Sequence, residues 1–239
     1  MTFKNYFFGI WAGCFIGQFS VLPFAHLISV AVGGKIIEYT PFFLSIVGLQ
    51  GIIGYGLVAF FGLKFSQKMG IHLLLLNEKS RFIEDFLKPG MVAGIICASL
   101  LITGNMLMQA EQLNVPLNPF YGLLALIYAG FNEEVILRLF LLSGIALLLK
   151  KIFKNMSAST IMWVSIAVTS LMFGLAHLPI ALRGVTATPI FVVRIMILNG
   201  VGGIIFGWLF WRKGLETAML AHIVADFFLY VAIPLIRGY

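Results

Sequence analysis

Three charged residues stand close together inside a long apolar stretch of the chain. Glu133, Glu134 and Arg138 lie within a run of apolar residues that extends from about 119 to 149. Such a run is long enough to cross a lipid bilayer, which takes about 20 apolar residues in a helix. A charge in the middle of a membrane costs about 2.5–3.5 kcal/mol on insertion scales, so it is usually paired and functional. This stretch is therefore the first candidate for chemistry.

Helix geometry separates these three charged residues into a pair and a single group. Glu134 and Arg138 are four residues apart and share a helix face, so we expect them to form an ion pair. Glu133 is turned by about 100° from Glu134, so it has no local cation at pairing distance on its helix face. It therefore needs a partner from another helix, or it takes up a proton. For Glu134 and Arg138, the alternative to a functional role is a buried pair that only fixes helix register.

Two further apolar runs each carry ionisable residues at helical spacing. His177 follows Phe173 by four residues, so we expect the phenyl ring to pack against the imidazole. His222 precedes Asp226 by four residues, so Asp226 can accept from the ring or stand beside it as a second ligand. We expect a site drawn from three helices that contains Glu133 and these ionisable groups.

Carboxylates and imidazoles in this arrangement support two kinds of chemistry. They are ligands that zinc uses, with one position left for water, and His177, His222 and Asp226 would be the ligands. The same groups also perform acid–base catalysis without a metal. The sequence leaves both possibilities open. His26 and His72 stand alone, and we interpret both as structural groups.

The composition predicts an all-α integral membrane protein. Of the 239 residues, 61% are hydrophobic and 10% are charged, whereas soluble domains carry about 25% charged residues. Apolar runs of bilayer length predict a bundle of about seven to eight transmembrane helices in a single domain that covers 1–239. The runs are roughly 6–32, 42–63, 90–108, 119–149, 159–181, 190–211 and 215–236. The net charge of +7 comes mainly from Lys and Arg in short loops, as membrane topology requires, and does not indicate nucleic-acid binding. These basic residues are more numerous on one side of the predicted membrane, which predicts that the N-terminus lies in the cytoplasm.

Rows of small residues predict where helices pack closely. Two such rows occur, in the first and the sixth run, and they consist of Gly9, Gly13 and Gly17, and of Asn199, Gly203 and Gly207. We expect Asn199 either to add an interhelical hydrogen bond or to face a polar cavity. Residue counts along the runs place Glu133 and His177 nearer the outer surface than His222.

Taken in order, the three motifs resemble those of a known family. They are Glu133-Glu134-x-x-x-Arg138, Phe173-x-x-x-His177 and His222-x-x-x-Asp226, preceded by the step Gly214-Leu215. This set resembles the CPBP family, also called Abi, which contains CAAX prenyl endoproteases and bacteriocin-processing enzymes. The resemblance covers about 118–230, which would then carry the catalytic core.

The resemblance implies an intramembrane endopeptidase whose site is sunk in the membrane. In such an enzyme Glu133 would activate the water, and His177 would position that water or a metal. Glu134 would be a further catalytic residue. His222 and Asp226 would bind a metal or support the oxyanion. An ionised Asp226 cannot donate a hydrogen bond, so we favour a role as a ligand or in orienting His222. The supporting residues would be Arg138, Phe173 and Asn199.

The resemblance also implies partners and a location. The substrate would be a peptide or protein, including one associated with the membrane. The short loops and compact chain favour a bacterial member in the plasma membrane, where peptide maturation or export is expected. Two other functions use the same buried groups: a non-catalytic bacteriocin-immunity protein, and a small proton-coupled transporter. A transporter should show an internal repeat or broken helices in matching halves, and the sequence shows neither.

Overall fold

The computed structural model describes residues 2–31, 38–71, 73–76, 81–108, 118–182 and 188–237. Within these residues the chain forms seven helices and no strand, which confirms the all-α prediction. The helices are α1 Phe3–Val30, α2 Pro41–Lys68, α3 Phe82–Leu107, α4 from Pro119 to Ile152, α5 Ala158–Ala181, α6 Pro189–Lys213 and α7 Leu215–Arg237. Helices α2 and α3 extend beyond the predicted apolar runs into the polar residues between them.

Six of the described helices are long and apolar enough to cross a membrane, namely all except α4. The protein is therefore an integral membrane protein. Helix α4, predicted as a seventh span, carries the two adjacent glutamates and Arg138 and contacts α1, α2, α5 and α7. The charged helix thus lies at the centre of the bundle, where neighbouring helices rather than lipid surround its charged side chains.

Three helices start at a polar residue that is followed by proline. The polar side chain accepts a hydrogen bond from a backbone N–H of the first turn, which would otherwise lack a partner. Proline suits the next position because its φ angle is already helical and its missing N–H is not needed there. These pairs are Thr40 with Pro41, Asn118 with Pro119, and Thr188 with Pro189.

A single glycine joins α6 to α7. Gly214 has a φ of 97°, a left-handed conformation that side chains with a Cβ disfavour. Its N–H donates to the carbonyl oxygens of Leu209 and Phe210, at 3.2 and 3.1 Å, and so closes the end of α6. Because only one residue separates the helices, α7 turns back against α6, and His222 is held close to the α6 side chains.

Helix α4 is locally wider than an α-helix. π-Helical turns occupy Ala129–Glu133 and Val135–Leu142, between α-helical segments on either side. Each π turn has more residues per turn, so it changes the direction in which the following side chains point. Such turns occur often at functional sites. Here they flank Glu134.

Glycines on α1 allow this helix to pack closely against the first π turn of α4. A Cβ atom at Gly17 would collide with the Asn132 side chain and lie 3.2 Å from the carbonyl oxygen of Ile127. A Cβ atom at Gly13 would overlap the Phe131 ring, whereas one at Gly9 would meet nothing within 4 Å. The predicted close packing is therefore confirmed for Gly13 and Gly17, and it is wrong for Gly9.

Replacing Gly17 with alanine is expected to destabilise the protein relative to the matched change Gly9→Ala. Each change stabilises the helix by about 1 kcal/mol through the higher helix propensity of alanine. The difference in stability between the two variants therefore reports the contact of Gly17 with α4. Overpacking of this kind costs about 1–3 kcal/mol. Thermal unfolding of the two variants in detergent measures the difference. Equal midpoints would contradict the close contact between α1 and α4.

Candidate active site

The Glu134 carboxylate joins two helices in the centre of the bundle. One oxygen, Oε1, accepts a hydrogen bond from Nδ1 of His222 on α7 at 2.8 Å. The other oxygen, Oε2, lies 3.4 Å from Nε of Arg138, one turn further along α4. The predicted ion pair is thus confirmed, but Glu134 does more than fix helix register, because it also binds the His222 ring.

This contact determines that Nδ1 of the His222 ring carries a proton. A carboxylate can only accept a hydrogen bond, so Nδ1 of His222 carries the proton that it donates to Glu134. The second ring nitrogen, Nε2, faces Glu133 Oε2 at 3.8 Å and Asp226 Oδ2 at 3.7 Å. The structure thus confirms that Glu133 meets a partner from another helix. Both distances exceed those of a direct hydrogen bond, so these are contacts between charged or polar groups rather than hydrogen bonds.

The cluster has a sealed side and an accessible side. The Glu134 and His222 side chains are 0% and 5% exposed, whereas those of Glu133 and Asp226 are 22% and 15% exposed. A molecule that enters the cluster therefore meets Glu133 and Asp226, while Glu134 stays behind them.

His177 is partly buried and is anchored to its own helix. Its Nδ1 donates to the carbonyl oxygen of Phe173 at 2.8 Å, since a carbonyl can only accept. The two rings meet edge to face with centroids 4.7 Å apart, which confirms the predicted packing. Nε2 of the neutral ring keeps its lone pair. The Phe173 ring contacts both the His177 ring and the His222 ring, so α5 joins α4 and α7 at the cluster.

Two phenyl rings enclose the Arg138 guanidinium. The group is fully buried and lies 5.2 Å from the Phe173 ring centroid and 5.7 Å from that of Phe206. Contacts of a cation with ring faces are favourable, especially where water is excluded. Phe206 also stacks on His222, with centroids 4.5 Å apart and planes inclined by 23°. The sequence analysis did not identify Phe206, because nothing in the sequence distinguishes it from the other phenylalanines, of which the chain has 23 in all.

Asn132 is a second residue that sequence reasoning missed. It is fully buried, and its Nδ2 donates to the carbonyl oxygen of Cys14 on α1 at 2.8 Å. This bond fixes the π turn that ends at Glu133 against α1. The signal was present in the sequence, since Asn132 is an amide side chain inside an apolar run next to the glutamates.

Other predicted residues lie apart from the cluster or outside the described chain. Asn199 donates to the carbonyl oxygen of Ile195 on its own helix at 2.9 Å, and the described residues show no hydrogen bond from it to another helix. His26 lies beside the Tyr39 ring, with centroids 6.0 Å apart. His72 lies outside the described residues.

A zinc site does not follow from this geometry. In the described part of the chain, no group of three or more His, Cys, Asp or Glu side chains is arranged to hold a metal ion. Among the predicted ligands His177, His222 and Asp226, the first two have Nδ1 bound to Phe173 and Glu134. These bonds leave Nε2 of both rings as the nitrogens that a metal would bind, and zinc binding stays a prediction that metal analysis of the purified protein tests.

Fold and site together define a polytopic membrane protein with a polar, partly accessible cluster of carboxylates and imidazoles inside a helical bundle. A family model, described as Type II CAAX prenyl endopeptidase Rce1-like, matches residues 115–228, which include α4 and all three motifs. The match covers the same part of the chain as the resemblance of the motifs, so it confirms that resemblance and supports an intramembrane protease at the family level. Comparisons with curated proteins and with solved structures gave no significant match.

Replacing Arg138 with methionine is expected to destabilise the fold by about 3–5 kcal/mol, because the change leaves a buried carboxylate without its cation. The double variant Glu134→Gln with Arg138→Met should recover much of this loss. Its neutral amide oxygen still accepts from Nδ1 of His222, and no unpaired charge remains. Chemical unfolding in detergent measures both variants. A double variant that is no more stable than Arg138→Met would contradict the buried ion pair.

Proposed function

We propose that this protein is an intramembrane endopeptidase that hydrolyses a peptide bond with a water activated by Glu133. One observation carries the proposal. The partly exposed Glu133 carboxylate lies across from Nε2 of His222, at 3.8 Å, inside the apolar bundle. Hydrolysis needs a base that substrate and water can reach, and Glu133 meets that need while Glu134 does not.

Glu133 and His177 would prepare the attacking water. A water between the helices can donate one hydrogen bond to the Glu133 carboxylate and the other to the free lone pair on Nε2 of His177. Glu133 takes a proton as the water oxygen attacks the scissile carbonyl carbon. The same proton then passes to the leaving amine as the carbon–nitrogen bond breaks. Glu133 thereby returns to its starting charge.

His222 would stabilise the negative charge that develops on the carbonyl oxygen. Its Nδ1 is occupied by Glu134, so Nε2 is the atom that faces the accessible side. Nε2 donates to an oxyanion when the ring carries both protons, and the surrounding carboxylates balance the charge of that form. Asp226 cannot donate while ionised, so its role here is to orient His222 and a bound water.

Glu134 and Arg138 would act from the sealed side. Glu134 selects the protonated nitrogen of His222 and fixes the ring between α4 and α7. Arg138 balances the carboxylate charge at 3.4 Å and is itself covered by aromatic rings. We therefore assign Glu134 a positioning role rather than direct contact with substrate.

The substrate would be a peptide or protein that reaches the cluster from the bilayer or its surface. The position of the cluster inside a bundle of six candidate spans supports this class, since water-soluble proteins have no direct access to it. For the protein itself we propose a bacterial plasma membrane with the N-terminus in the cytoplasm, on the basis of the short loops and the bias of Lys and Arg.

Replacing Glu133 with glutamine is expected to lower kcat for peptide hydrolysis by about 10²- to 10⁴-fold, because an amide cannot take the proton. The thermal midpoint should stay close to that of the wild type, since Glu133 is partly exposed. Cleavage of candidate precursor peptides by purified protein gives the rate. The matched control is Glu84→Gln, which changes an exposed glutamate at the start of α3 and should leave kcat unchanged.

Unchanged turnover in Glu133→Gln would rule out the assigned base. Proton flux in liposomes separates hydrolysis from the transporter alternative. The proposal expects the same background flux for the wild type and Glu133→Gln. Flux that depends on Glu133 would instead favour a proton-coupled transporter.

A further inference from the structure

One face of the His222 ring is covered by a residue outside the three motifs. Phe206 on α6 stacks on the imidazole with centroids 4.5 Å apart and an interplanar angle of 23°. Phe173 on α5 approaches the same imidazole edge to face, with centroids 5.8 Å apart and an angle of 85°. Glu134 holds Nδ1 from α4. Three helices other than its own therefore fix the ring.

These contacts leave the His222 ring little freedom to turn. The hydrogen bond to Glu134 fixes the direction of one nitrogen, but it still permits rotation of the ring plane about that bond. The stacked Phe206 ring opposes such rotation, because any large tilt would drive the imidazole into its face. The ring plane sets where Nε2 points, and the contacts at 3.7 and 3.8 Å depend on that direction.

Phe206 is also buried and touches the charged side of the cluster. It is 2% exposed, and its ring lies 5.7 Å from the Arg138 guanidinium. The Phe206 side chain thus contacts both His222 and Arg138, the two partners of Glu134. A change at Phe206 alters the orientation of His222 and the surroundings of Arg138 together.

We propose that Phe206 is a positioning residue that directs Nε2 of His222 toward Glu133 and Asp226. The inference rests on the proposed function, in which Nε2 supports the developing oxyanion. Phe206 is buried, so it does not contact substrate directly. It acts through the orientation of the imidazole, and a displacement of about 1 Å in a catalytic group can cost about 10²-fold in rate.

The chain offers a matched control for this proposal. Phe210 lies one turn further along α6 and is 0% exposed, so it is at least as deeply buried as Phe206. Methionine fills much of the space of a phenyl ring but has no flat face. Phe206→Met and Phe210→Met should therefore lose similar packing, while only Phe206→Met loses the stack on His222. The changes to leucine form a second pair if either methionine variant does not fold.

The test combines kinetics with NMR of histidine-labelled protein in detergent. Phe206→Met is expected to lower kcat by about ten- to hundredfold with KM unchanged, and to alter the pH dependence of kcat. Phe210→Met should leave both unchanged. The His222 ring protons, assigned by their absence in His222→Gln, lie over the Phe206 ring face. Their signals should move downfield in Phe206→Met and stay in place in Phe210→Met.

Equal losses of kcat in the two methionine variants, with the His222 signals unmoved in Phe206→Met, would overturn the proposal. A wild type that hydrolyses no peptide would contradict the proposed function instead. In that case the His222 signals still test the stack on which the positioning role depends, since they require no turnover. A downfield shift confined to Phe206→Met shows that the two rings are stacked, and its absence contradicts the proposal.

Discussion

A carboxylate that is fully buried must find its hydrogen bonds and its counter-charge inside the protein. Glu134 finds both, with Nδ1 of His222 at 2.8 Å on one oxygen and Nε of Arg138 at 3.4 Å near the other. Loss of one partner leaves an uncompensated charge in an apolar interior, which is costly. The contact joins α4 to α7, so the arrangement of the two helices and the direction of the His222 ring depend on each other.

Several surrounding residues hold α4 and α7 in the positions that this contact requires. Gly17 lets α1 approach α4 closely, and Asn132 binds the α1 backbone there, which fixes the π turn before Glu134. Gly214 reverses the chain in one residue and places α7 against α6. Phe206 and Phe173 then cover Arg138 and the His222 ring. Glu133 stays on the partly exposed side of the cluster.

Much of this arrangement was predictable from helical spacing. Composition predicted the membrane bundle, and the i, i+4 rule predicted the Glu134–Arg138 pair and the packing of Phe173 on His177. The bond between Glu134 and His222 was not predictable, because the π turns change the direction of side chains on α4. The role of Phe206 was equally hidden, since a stacking ring looks like any core residue in the sequence.

The predicted difference in depth between Glu133 and His222 was wrong for a related reason. It assumed that all spans begin and end at the same level, whereas contact at 3.8 Å requires both side chains to be at one level. Helix ends extend past the apolar runs, as α4 does to Ile152, so residue counts from those ends misplace the site.

The coupling between Glu134 and His222 tests the central claim most directly. A double-mutant cycle compares Glu134→Ala, His222→Ala and the double variant by their free energies of unfolding in detergent, because alanine at either position removes the hydrogen bond. A buried hydrogen bond to a charged group contributes about 1.5–3 kcal/mol, so the cycle should return a coupling of about that size. Additivity within about 0.5 kcal/mol, as for independent sites, would contradict the contact on which the site depends.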